Sequence, residues 1–259
     1  MTSFYSFHLT APQIFAMMDD EICYSKMKNK KTIQGIFAIV FALFLTATLT
    51  MRIIYVFTIC TRVLPAWFVF YRFTYLTNYL VIVYLFLFGI SHISKKLEKL
   101  KKITTHSAVL IALAFYCSIL FFYFFIAISS GMIVFEGYSF LHHVPRRIFT
   151  YILTPIIIWI FFFIIKRNPD EIKQNKIKTI LVTLAFPVTF FLLNMIIGHM
   201  VTYGANYPAF AYEFLSPAFH SWWLFTLAVF AAIAVFSLLT YLLIFLNNKI
   251  KKRQQKDKT

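Results

Sequence analysis

Acidic residues are scarce in this chain, with nine Asp and Glu among 259 residues against 25 Lys and Arg. Seven of the nine lie in or near lysine-bearing segments, so only Glu136 and Glu213 fall elsewhere and paired-carboxylate acid–base chemistry has almost nothing to run on. Charged residues make up 13% of the chain and hydrophobic ones 61%. That is too little polar surface to coat a soluble core, and lipid is the expected solvent. The three cysteines, Cys23, Cys60 and Cys117, are scattered without metal-ligand spacing and read as inert thiols. No GxSxG elbow, HExxH ligand set or phosphate-cradling glycine loop occurs, and neither a metal nor a cofactor is expected. Residues 1–31 lack the basic start, short apolar run and cleavage site of a secretory signal, and are expected to stay in the cytoplasm.

What the chain does have is an ordered distribution of charge. All 18 lysines fall in four segments, 26–31, 95–102, 166–178 and 249–258, which also hold Arg167 and Arg253. A net charge of +16 would suit a nucleic-acid partner if it formed one stripe, but here it alternates with membrane-length apolar runs and no groove-reading motif accompanies it. No nucleic-acid partner is expected. Short loops rich in Lys and Arg stay on the cytoplasmic side of a membrane.

Six segments approach the roughly 20 apolar residues that a spanning helix needs: 34–58, 66–90, 107–129, 148–165, 179–201 and 222–246. The fourth is the shortest. The expectation is therefore an all-α, polytopic membrane bundle of six transmembrane helices with both termini cytoplasmic. Residues 1–31 form an N-terminal cytoplasmic segment, 32–248 the six-helix domain and 249–259 a basic cytoplasmic tail. No internal repeat is visible. The excess of Phe, Ile, Tyr and Lys over Arg is what an A+T-rich genome produces, so a multi-pass protein of a bacterial cell membrane, with lipids as its partners, is the expected setting. Residues 94–106 read as a solvated inner loop, the alternative being a short amphipathic helix with Leu97, Leu100 and Ile103 on one side.

Polar groups inside the apolar segments are few, and ionisable ones there are costly unless they face the bundle or a wet cavity. Arg52 and Arg72 occupy the outer thirds of the first two spans, where they either snorkel to headgroups or line a basic cavity. Thr74, Thr77 and Asn78 follow Arg72 at helical spacing and stack on one face, a stripe that most often serves interhelical packing, with a site as the alternative. The fifth span ends with His199 at about the depth of Thr74. The outer loop after it, YGANYPAFAYEFLSPAFHSWW, carries Tyr207, Pro208, Glu213 and Pro217, and its prolines and aromatics suggest a segment packed into the bundle mouth. The preceding outer loop holds His142 and His143 beside Arg146 and Arg147, a set suited to anionic headgroups.

Three stretches, FTYLTNYLVIVY, TYILTPIIIWI with Pro155, and GHMVTYGANYPAFAYEFLSP, resemble the androgen-induced-protein family of six-span membrane hydrolases and its bacterial relatives. The resemblance implies a lipid ester hydrolase with a membrane-embedded Thr nucleophile and a His partner. Carried over, the nucleophile falls on Thr74, or on Thr77 with a one-turn shift. The family His lies a few residues before the span-four proline, where this chain has Phe149, Thr150 and Tyr151, which leaves His142, His143 or His199 as partner. On this reading Arg52, Arg72, Asn78, Tyr207, Pro208 and Glu213 contact substrate. The alternative function is a non-catalytic protein that binds or carries a lipid or small anion in the same outward cavity.

Overall fold

The structure, a computed structural model, describes residues 11–59, 72–94, 96–129, 147–165, 176–200, 202–203, 207–208 and 222–256, with side chains described over a smaller set that begins at Thr32. It is helical almost throughout. The elements are α1 (Ala11–Ile59), α2 (Phe73–Ile93), α3 (Glu98–Thr104), α4 (Ser107–Ser129), a π-helical turn (Phe149–Leu153) running into α5 (Thr154–Ile164), α6 (Lys176–Met200) and α7 (Trp222–Lys256). A two-residue hairpin, β1 (Thr202–Tyr203) and β2 (Tyr207–Pro208), pairs antiparallel with Thr202 opposite Pro208.

Five stretches are long and apolar enough to cross a membrane: Thr32–Ile54, Phe73–Ile93, Ser107–Ile126, Lys176–Ile196 and Val229–Gln254. The chain is a multi-pass integral membrane protein. The segment expected as a fourth span is the shorter apolar helix Phe149–Ile164, about 24 Å long against a hydrocarbon core of about 30 Å. Two helices extend well past their spans: α1 is already helical from Ala11, and α7 continues to Lys256 within the basic tail.

α4 is apolar all the way round, the composition of a helix with no solvent face, and it contacts α2, α5, α6 and α7. Its residues Leu110, Ile111, Ala114, Phe115, Cys117 and Leu120 are fully or almost fully buried. α1 packs along α2 through the stripe Ala38, Ala42, Leu45 and Leu49, while Phe37, Val40, Leu43 and Met51 on its other face are exposed as lipid-facing residues should be. The two helices cross where Gly35 meets Gly89. A Cβ on Gly89 would stand 2.8 Å from the Gly35 carbonyl oxygen and collide with Ile39 Cγ1, so the approach depends on that missing side chain.

Residues 98–104, read from sequence as loop, form α3, but its amphipathic stripe is not what holds it. Ile103 is exposed, whereas Thr104 and Thr105 are buried. The Tyr84 hydroxyl donates to the Thr104 carbonyl (3.2 Å), and Ser91 Oγ lies 3.4 Å from Thr104 Oγ1. Threonines beside a lysine run thus dock the segment onto α2, a tertiary contact that hydrophobic spacing does not encode. At the same end Gln254 Nε2 on α7 donates to the last carbonyl of the α5 segment, that of Ile165, at 3.3 Å. This lysine-bearing end of the bundle is opposite the end where α2 begins.

Candidate functional site

α2 starts at an extended residue, Arg72, whose carbonyl accepts from the backbone N–H groups of Tyr75 and Leu76. Thr74, Thr77 and Asn78 then fall on the face that continues inward as Val81, Leu85 and Phe88, and all six are buried. The polar stripe expected from spacing therefore points into the bundle. Asn78 Nδ2 donates to the Thr74 carbonyl at 2.7 Å. Because only the amide nitrogen can make that bond, the orientation of the side chain is fixed and Oδ1 faces away from the helix backbone.

Opposite this face stands Tyr151, and its placement begins with a proline. Pro155 has no N–H and its ring crowds the carbonyl four residues back, so the regular α-helical hydrogen bond to the Tyr151 carbonyl is lost. The chain widens into the π-turn Phe149–Leu153, in which both the backbone N–H and the hydroxyl of Thr154 donate to the Phe149 carbonyl, the latter at 2.8 Å. The inserted residue rotates the preceding side chains relative to α5. Tyr151 thereby stacks on Phe124 of α4 (5.6 Å between centroids, 20° between planes) and its hydroxyl donates to Thr74 Oγ1 at 3.3 Å.

Tyr123 lies beside Tyr151, with ring centroids 6.1 Å apart, and Arg147 lies one turn before Tyr151 as Arg72 lies just before Thr74. Arg52 is half-buried and continues the α1 stripe of Leu45 and Leu49 toward the same end. Counted outward from the Gly35–Gly89 crossing of this antiparallel pair, Arg52 and Arg72 are equally distant. On α6, Phe190 packs on Phe73 (5.3 Å), and buried Asn194, one turn further on, donates Nδ2 to the Phe190 carbonyl at 3.1 Å. One end of the bundle thus combines arginines, two phenols and a buried Thr–Asn face.

Of the residues singled out from sequence, Thr74, Thr77, Asn78 and the two arginines come to this end of the described structure. His199 belongs to the backbone of α6, and Tyr207 and Pro208 form β2, but their side chains lie outside the described residues, as do His142, His143 and Glu213 altogether. The described histidine side chains are elsewhere. His92 stacks on Phe88 at 3.9 Å, with Nδ1 3.0 Å from the Phe88 carbonyl oxygen, and His106 Nδ1 accepts the Ala108 N–H at the start of α4. His92 and Thr74 sit at opposite ends of α2, about 27 Å apart. Among the described residues no group of His, Cys, Asp and Glu could hold a metal ion.

Sequence reading passed over Tyr151 as a site residue. The available signal was Pro155 four residues later, inside an apolar helix, where a bulge must re-aim the side chains just before it. Set against models of protein families, curated proteins and solved structures, the chain matches none of them.

Proposed function

We propose that this chain is a six-span bundle, both termini cytoplasmic, whose arginine end faces outward and binds the anionic head of a membrane lipid. The observation that carries the reading is the buried Tyr151–Thr74 contact, with Arg72 two residues before Thr74 and Arg147 four residues before Tyr151. A phosphate held there meets fixed positive charge in a low-dielectric setting, and phenol and threonine hydroxyls can complete its hydrogen bonds. Six crossings follow from the charge pattern, since an even number puts all four lysine segments on one side. A short fourth helix is compatible with this through local thinning of the bilayer and snorkelling of Arg147.

Hydrolysis by Thr74, as the androgen-induced-protein resemblance implies, is the second reading, and burial of the Thr74 hydroxyl beside a polar partner favours it. It requires His142, His143 or His199 to reach Thr74 as base. The hydrogen bond in hand works against it: Tyr151 donates to Thr74 Oγ1 and occupies a lone pair, and a neutral phenol does not take up the threonine proton. The test is native mass spectrometry of the protein with phosphatidylglycerol and phosphatidylcholine. The expected result is intact anionic lipid retained in preference to the zwitterion, with a loss of about tenfold or more in Arg72→Ala/Arg147→Ala, at roughly 1 kcal/mol per charge. Fatty acid release abolished by Thr74→Ala would establish the hydrolase instead.

A further inference from the structure

Three buried polar atoms on α2 have no hydrogen-bond partner among the described residues, Thr77 Oγ1, Asn78 Oδ1 and the Tyr79 hydroxyl, and the first two share the Thr74 face. Thr77 and Asn78 are both 0% exposed. In a membrane interior no bulk water covers such a lapse, and each unmet group is a direct penalty on the fold. Asn78 Oδ1 is an obligate acceptor because Nδ2 is committed to the Thr74 carbonyl. Thr77 Oγ1 can accept as well. Both lie within about 9 Å of Arg72 along the helix, on the face that Tyr151 covers through Thr74.

We propose that this pair is a subsite for a hydroxyl-bearing headgroup, so that the lipid bound at the arginine end is a phosphodiester carrying a free polyol, as phosphatidylglycerol does. The inference rests on the lipid-binding reading above and deepens it. The phosphate stays with the arginines, and the glycerol turns inward to donate to Asn78 Oδ1 and Thr77 Oγ1. Tyr151, which stacks on Phe124 and donates to Thr74 Oγ1 at 3.3 Å, is the side chain that turns aside to admit it.

Charge and hydroxyl recognition make opposite demands, which makes the proposal testable. Phosphatidic acid, with the more highly charged phosphomonoester, is the better ligand for arginines alone, but it has no polyol beyond the phosphate to reach inward to Asn78 and Thr77 while the arginines hold the phosphate. Competition between phosphatidylglycerol and phosphatidic acid, measured by native mass spectrometry of the full chain, is expected to favour phosphatidylglycerol by about tenfold, the equivalent of one good hydrogen bond net of the charge difference. Thr77→Val and Asn78→Leu keep the number and branching of the side-chain heavy atoms but remove the acceptors. Both are expected to collapse the preference to about twofold or less. Thr77→Val is expected to melt no lower than the parent, because only an unmet polar group has been deleted, whereas Asn78→Leu also loses the Nδ2 bond to the Thr74 carbonyl. Thr77→Ser is expected to retain the preference. Equal binding of the two lipids by the parent, or a preference untouched in both acceptor-free variants, overturns the subsite and leaves the lipid reading standing. Failure of either anionic lipid to outcompete phosphatidylcholine overturns both. Full displacement of lipid by soluble glycerol phosphate overturns the lipid as the source of the recognised group.

Discussion

Tyr116→Phe is expected to destabilise the bundle by about 1–3 kcal/mol although it removes a single oxygen atom. The reason lies on a neighbouring helix. Pro187, inside α6, cannot donate the N–H that the Thr183 carbonyl would accept in a regular α-helix. The carbonyl so released is satisfied by the Tyr116 hydroxyl of α4, at 3.1 Å. Without that donor it is stranded in an apolar setting, since neither its own helix nor water can replace the bond. The phenyl ring would keep its contact with Phe186, 4.9 Å between centroids, so the loss isolates the hydrogen bond. The cost shrinks when the proline is removed. In a Pro187→Ala background the helix supplies the missing N–H, and Tyr116→Phe is expected to cost about 0.5 kcal/mol or less, near the average for interhelical bonds in membranes. Reversible unfolding in mixed micelles across the four proteins measures the coupling; equal costs in both backgrounds would show that Tyr116 does not serve the proline gap.

Gly89→Ala is expected to separate α1 from α2, at about 1–3 kcal/mol, the usual range for overpacking a core. The new methyl would stand 2.8 Å from the Gly35 carbonyl oxygen and press on Ile39 Cγ1, an atom fixed next to its backbone by β-branching. Gly35→Ala should be milder, because the contacts there are 3.0 Å to the Gly89 carbonyl, 3.1 Å to His92 Cβ and 3.2 Å to Ile93 Cγ1, which a few tenths of an ångström would relieve. Thermal unfolding of the two variants should rank Gly89→Ala below Gly35→Ala. The reverse order would mean that the helices do not cross as described.

Five of the spans were readable because each is a long apolar run with a lysine segment at one end, and that pattern depends on composition more than on contacts. α4 emerges as Ser107–Ser129, matching the expected 107–129, and the Thr74–Thr77–Asn78 face is buried as its spacing implied. The pieces that escaped are tertiary. α3 is held by Thr104 meeting Tyr84 and Ser91, an arrangement with no periodic signature. Tyr151 reaches Thr74 from the π-turn before Pro155, and the direction of a bulged side chain is set by the helices packed around it. The partnership of Tyr116 with the Pro187 gap joins residues on two helices that sequence places far apart. Histidine chemistry was legible only as a depth coincidence at His199, and the described histidines, His92 and His106, are committed to the lysine end of the bundle.

The arginine end of the bundle, rather than its lysine-rich face, is proposed to select a lipid head. Both carry positive charge, and binding strength alone does not separate them. Photocrosslinking with phosphatidylglycerol that bears the reactive group on its glycerol head, followed by peptide mapping, does. Labelled peptides are expected from the start of α2, Phe73 to Asn78, and from the π-turn at Tyr151, with labelling suppressed in Arg72→Ala/Arg147→Ala. Labelling confined to the lysine segments 95–102 and 249–258 would overturn lipid selection at the arginine end.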